Sequence, residues 1–148
     1  MSIQWQNNRV FVNRIRDRLQ LGPIVELFMT ARSGEIPFTP SDFVGWCGTA
    51  LKSDSTLVCA LYYDHEPTGF FLAFAPWTLY NMVHLQFLFI RPAFRSHSLA
   101  LIREGFSVLR SWQKALGARG VSFVTDRPRG WQRILREPVH LQKAFVEV

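Results

Sequence analysis

The sequence predicts an α/β fold, a central mixed β-sheet with helices on both faces, in a single domain over residues 1–148. Three observations lead there. The runs Thr56 to Tyr63 and Met82 to Ile90 are almost continuously apolar, as strands covered on both faces are. From Ser98 to Leu116 the apolar period becomes helical, and a short apolar run follows at Val121 to Val124, which makes a strand–helix–strand crossover. A chain of 148 residues with 48% hydrophobic and 19% charged side chains suits one well-filled core and leaves a second one cramped.

Each element has its own signal. Val10 to Ile15 is short and apolar enough for a first strand. Gly22 to Arg32 opens with Pro23, a good first-turn residue, and sets Ile24, Leu27 and Phe28 at helical spacing. Thr39-Pro40-Ser41-Asp42 reads as a second helix start, with Phe43, Trp46 and Cys47 on one side and Ala50 continuing it. Thr56 to Tyr63 and Phe70 to Phe74 are two strands of a hairpin, joined by the turn residues Asp64 to Gly69. Pro76 to Asn81 connects to Met82–Ile90, the strongest strand, which Pro92 ends. The long helix carries a stripe of Leu99, Ile102, Phe106, Leu109 and Leu116, with Arg103, Arg110, Gln113 and Lys114 outside it, and Gly117 stops it. Val121 to Val124 is a strand, Trp131 to Arg136 a turn or two of helix, and Leu141 to Val148 one last strand.

Cys47 and Cys59 stand alone in apolar settings, which points to reduced core thiols and away from a disulfide framework or a metal site. Met1 is followed by a polar, basic segment unlike a signal peptide, and no apolar run approaches the ~20 residues that span a bilayer. A cytoplasmic protein without a membrane association is the expectation. The formal charge of +6 suits an anionic partner, or simply a basic solvated surface. Arg127, Arg129, Arg133 and Arg136 around Trp131 suit contacts to nucleic acid, or a solvated helix face around one buried Trp.

The stretch 86–105 (QFLFIRPAFRSHSLALIREG) carries the chemistry. A buried strand stops at a proline, and a basic loop leads to small residues that open the long helix. The first helical turn presents main-chain N–H groups, and the helix dipole favours an anion there. Ser96, Ser98 and Ala100 keep side chains small at that end, and Arg91 and Arg95 add positive charge. A diphosphate suits such a place. The alternative is an ordinary basic loop capped by Ser96 or Ser98.

Arg95-Ser96-His97-Ser98-Leu99-Ala100 resembles the Q/R-x-x-G-x-G/A signature of the GNAT superfamily of N-acetyltransferases. Ile90-Arg91-Pro92 before it, and Lys114-Ala115-Leu116-Gly117-Ala118 with Val121 to Thr125 after it, resemble the family's flanking elements. More loosely, the chain is similar to the small members found in phages and bacteria. The resemblance implies an acyl donor, acetyl-coenzyme A, between strand 82–90 and strand 121–125. Main-chain groups of Leu88, Phe89 and Ile90 would pair with its pantetheine arm, and Arg95, Ser96, His97, Ser98, Leu99 and Ala100 would hold its pyrophosphate. The acceptor implied is a primary amine, on a small molecule or a protein, attacking the thioester directly without a metal.

Four departures bear on activity. Ser98 replaces the signature's second-last glycine, and Trp131 to Arg136 contains no tyrosine to act as general acid. Where many members carry a carboxylate on the strand, this chain has His84 and Gln86, which period-2 counting puts on the same face as Leu88 and Ile90. Of the two, His84 has a free pKa of ~6.5 suited to a general base. Finally, one terminal strand replaces the family's two-strand hairpin, so the acceptor wall is open, or completed across a homodimer. These departures keep a second reading in view: a GNAT-fold protein that binds or regulates without turnover.

Overall fold

A computed structural model describes residues 9–77, 81–124, 133, 135, 140–142 and 145–147. Among the described residues seven strands form one sheet: β1 (Val10–Arg14), β2 (Thr56–Tyr63), β3 (Glu66–Trp77), β4 (Met82–Ile90), β5 (Gly120–Val124), β6 (His140–Gln142) and β7 (Phe145–Glu147), in the order β1-β2-β3-β4-β5-β7-β6. The pair β4–β5 is parallel and all others are antiparallel, so the sheet is mixed as expected. The helices are α1 (Gly22–Leu27), α2 (Pro40–Ala50) and α3 (Ser98–Ala115), with 3-10 turns at Arg18–Gln20, Phe28–Thr30 and Pro92–His97. No helix among the described residues is long and apolar enough to cross a membrane.

The sheet separates two cores. Leu57, Cys59 and Leu61 of β2 point to the α3 side, where Leu101, Phe106, Leu109 and Trp112 meet them. Val58 and Ala60 point the other way, under α1 and α2, with Ile24, Leu27, Phe43 and Cys47. Both faces of β2 are therefore covered, which is why its sequence lacks polar alternation. Burial pushes the Cys47 thiol up to about 11 and the Cys59 thiol up to about 12, so both stay protonated and inert at neutral pH. α2 begins at a capping box: Thr39 Oγ1 accepts from the Asp42 N–H at 3.0 Å, and Asp42 Oδ2 accepts from the Thr39 N–H at 3.5 Å.

Four details differ from the sequence reading. The hairpin turn needs only Asp64 and His65, both with positive φ, and β3 begins at Glu66, not Phe70. Pro67 and Gly69 fit inside a strand because the pairing passes from Tyr62↔Pro67 to Leu61↔Gly69, leaving Thr68 bulged. The buried face of α3 centres on Leu101, Phe106, Leu109 and Trp112, whereas Leu99 and Leu116 are 46% and 41% exposed. Leu99 lies about 200° round the helix from Leu101. Gln113 is buried and its Nε2 donates to the Ala118 carbonyl. The chain end holds two short strands, β6 and β7, paired antiparallel with β7 against β5, so the single last strand is replaced by a hairpin. The Arg127 to Arg136 cluster falls outside the described residues except at Arg133, which is exposed.

Candidate active site

The site begins where two strands part. β4 and β5 pair only at Met82↔Gly120, Val83↔Val121 and His84↔Ser122; beyond these β5 makes no further pair with β4, which runs on to Ile90. On its other edge β4 stays paired with β3 to Gly69↔Ile90. The Phe89 carbonyl faces Gly69, so the alternate residues Leu88 and Ile90 aim their main-chain groups at the gap. The Ile90 carbonyl on that side accepts from Arg95 Nε at 2.8 Å.

A bulge in β4 sets which side chains meet the gap. The register passes from Leu72↔Phe87 to Ala73↔Leu85, which leaves Gln86 as the extra residue. Side-chain parity changes there. Leu85, Leu88 and Ile90 pack toward α3, while Phe87 and Phe89 join the core under α1 and α2. The expectation that His84 and Gln86 share a face with Leu88 and Ile90 is thus corrected: the bulge breaks the period of two. Gln86 is exposed and lines a pocket of about 370 Å³ on the α2 side. Among the described residues, Phe38, Phe43, Trp46, Leu72 and Phe74 make the apolar walls of this pocket, and Asp42 is the other polar group that lines it.

His84 lies behind that wall. It is buried, its ring is 5.4 Å from that of Phe74, and its Nδ1 is 2.9 Å from Ser122 Oγ, which itself lies 3.4 Å from the Val83 carbonyl. Burial lowers the imidazole pKa below its ordinary 6.5, so at neutral pH the ring is uncharged. The folded state then resists protonation that the unfolded chain accepts, and stability falls as pH drops below about 6.5. Thermal melts from pH 8 to pH 5 are expected to show this. The stability difference between wild type and His84→Gln should be flat above about pH 6.5 and shrink below it.

The entrance of α3 is accessible at Ser96, Leu99 and Ala100, all exposed. Ser98 turns its hydroxyl inward, donating to the Arg95 carbonyl at 2.8 Å, and the Ser98 N–H bonds to the same carbonyl. His97 stacks on Tyr63 at 4.1 Å. The two arginines are less available than the sequence suggests. Arg95 also pairs with Glu35, and Arg91 lies 3.4 Å from Glu66, acids that sequence reading does not connect to this loop. Glu35 is held below the usual carboxylate range by the Arg32 main chain first and Arg95 second. Arg95 therefore braces the loop between β4 and the segment before α2. Residues 125–132, which include the start of the sequence-predicted short helix, lie outside the described residues. No group of three or more His, Cys, Asp or Glu side chains that could hold a metal occurs among the described ones.

Solved structures share this architecture over nearly the whole chain. An acetyltransferase from Thermus thermophilus is 15% identical, with 94% of this chain and 96% of that one covered and a TM-score of 0.68. The chain has the GNAT acetyltransferase fold. The aminoglycoside 6'-N-acetyltransferase of Acinetobacter baumannii shares this GNAT fold at 14% identity and TM-score 0.67, covering 90% of this chain and 97% of that one. So does YncA of Salmonella typhimurium, solved with its cofactor acetyl-coenzyme A, at 11% identity and TM-score 0.66, with 95% and 94% covered. No protein-family model matches the sequence, and no curated protein does. The GNAT likeness is thus one of fold over nearly the whole chain, at 11–15% identity.

Proposed function

We propose that this chain is an N-acetyltransferase that moves an acetyl group from acetyl-coenzyme A to a primary amine. The observation that supports this most is the opening between β4 and β5, faced by the main chain of Leu88 and Ile90, with the exposed start of α3 at one end and Gln86 at the other. The fit to the donor is good. Leu88 and the Ile90 N–H suit an amide-bearing arm, and exposed Ser96, Leu99 and Ala100 leave the helix entrance accessible to a diphosphate. Acetyl-coenzyme A supplies an acyl carbonyl activated by its thioester.

The chain's own residues orient the acceptor and handle its proton. The amine nitrogen attacks the carbonyl, a C–N bond forms, the C–S bond breaks, and the departing thiolate takes a proton. The acceptor must arrive at the carbonyl as a free amine, so one proton leaves its ammonium form. Gln86 cannot titrate; its amide oxygen accepts a hydrogen bond from the nitrogen and orients it. His84, kept neutral by burial, takes the proton through water. Phe89, between Leu88 and Ile90, holds β4 to the core and is a packing residue.

Saturating acetyl-coenzyme A, at a hundredfold excess over Kd, is expected to raise Tm by roughly 5–10 °C. Release of free thiol in the presence of an amine then checks turnover. A Tm that does not move at millimolar coenzyme sinks the proposal. A second reading, binding without turnover, is favoured by Gln86 standing where a titratable group would serve better; it expects the same Tm rise and no thiol release for any amine.

A further inference from the structure

We infer that the acceptor is a singly charged amine on an aromatic or branched apolar body, bound in the pocket between α2 and the bulge of β4; this rests on the transferase reading above. The pocket's walls are apolar and already in place. Phe38 stacks on Phe43 at 6.1 Å and meets Phe87 edge-on at 5.2 Å, and Phe43 in turn packs on Phe70 at 5.6 Å. These rings are ordered by one another, so a flat apolar group entering beside them orders little further side chain. Trp46 is 43% exposed although it lies on a helix whose neighbours Phe43 and Cys47 are buried, and its ring lines this pocket. A large aromatic left half in water at a cavity mouth offers a face to a ligand.

The charge count limits the ligand. Among the described residues lining the pocket, Asp42 is the sole carboxylate and Gln86 the sole other polar side chain. One ammonium finds one counter-charge there. A second or third ammonium would be desolvated against Phe38, Phe74 or Leu72 without a partner, which is strongly unfavourable. The chain's formal charge of +6 adds a long-range penalty that grows with ligand charge. Polycations such as polyamines and aminoglycosides are therefore disfavoured, even though the fold also occurs in an aminoglycoside acetyltransferase. Gln86 joins the pocket to the opening between β4 and β5, so an ammonium at the pocket's inner end lies beside the position of the acyl carbonyl.

The test uses the full chain and three probes: 2-phenylethylamine, its neutral analogue 2-phenylethanol, and spermidine. Binding is followed by calorimetry without coenzyme, and turnover separately by thiol release with acetyl-coenzyme A. Phenylethylamine should bind saturably and at least about tenfold more tightly than either other probe. Trp46→Ala and Asp42→Asn should each weaken it by about tenfold, with circular dichroism and Tm confirming folded variants. In turnover the loss should fall on KM more than on kcat. Equal or tighter binding of spermidine, or phenylethylamine binding that neither variant changes, overturns the inference while leaving the transferase reading intact if turnover persists. Phenylethylamine binding as expected with no coenzyme binding upholds the pocket and removes the transferase reading.

Discussion

Replacing Gly69 by alanine is expected to destabilise the protein by about 3 kcal/mol and to abolish acetyl-coenzyme A binding at concentrations that saturate the wild type. A Cβ built at Gly69 stands 2.2 Å from the Phe89 carbonyl oxygen and 3.2 Å from the Ile90 Cα, distances at which main chain must move. φ at this glycine is ordinary, so the demand is for space and not for conformation. Movement of β4 at Phe89 displaces Leu88 and Ile90, whose main-chain groups face the opening. Gly45→Ala is the control, because nothing lies within 4 Å of its added Cβ and it sits inside a helix. That change should be neutral or stabilising by up to about 1 kcal/mol. Urea midpoints for the two variants check the contrast; a Gly69→Ala midpoint equal to wild type would show that β3 and β4 are not in close contact there.

Phe43→Ala should cost about 3–5 kcal/mol, as truncation of a fully buried aromatic does. Phe43 is 2% exposed and touches Phe28, Phe38 and Phe70 at ring distances of 5.8, 6.1 and 5.6 Å. It is the joint between α2 and the sheet, and also a wall of the acceptor pocket. Phe43→Leu keeps most of the volume and should cost less than about 1.5 kcal/mol. The pair separates two effects: alanine loses stability and ligand, while leucine keeps the fold and loses only aromatic contact with the ligand. Chemical denaturation with and without 2-phenylethylamine reads both. A loss below about 1 kcal/mol for alanine would mean that the ring cluster does not hold α2 in place.

Much of this architecture is legible in the residues. Thr39, Pro40 and Asp42 spell the start of α2, and the structure puts a capping box there. Gly117 ends α3 with a positive φ of 73°. β2 and β4 follow from their apolar runs because both faces are covered. What is not legible is local irregularity. No glycine or proline marks the bulge at Gln86, so a count by twos carries the wrong parity past it. α3 offers both Leu99 and Leu101, and only the sheet beneath decides which is buried. Glu35 meets Arg95 across 60 residues, a pairing with no local trace. The acceptor pocket is invisible for the same reason: Phe38, Trp46, Phe74 and Gln86 come from separate elements. The exposed Ser96 and Ala100, by contrast, are small residues after a proline stop, as the sequence reading has them.

Among the described residues three pairs stitch β5 to β4, at Met82–His84 with Gly120–Ser122. The leaf formed by β5, β7 and β6 is otherwise secured by α3 lying across it, where Phe106 meets Phe123 at 5.8 Å. So short a ladder lets that leaf come away as a cooperative unit at a lower free energy than global unfolding. A molecule strutting the two leaves would raise the opening cost of this flank more than that of β1–β3, making local rigidity there a reporter of occupancy.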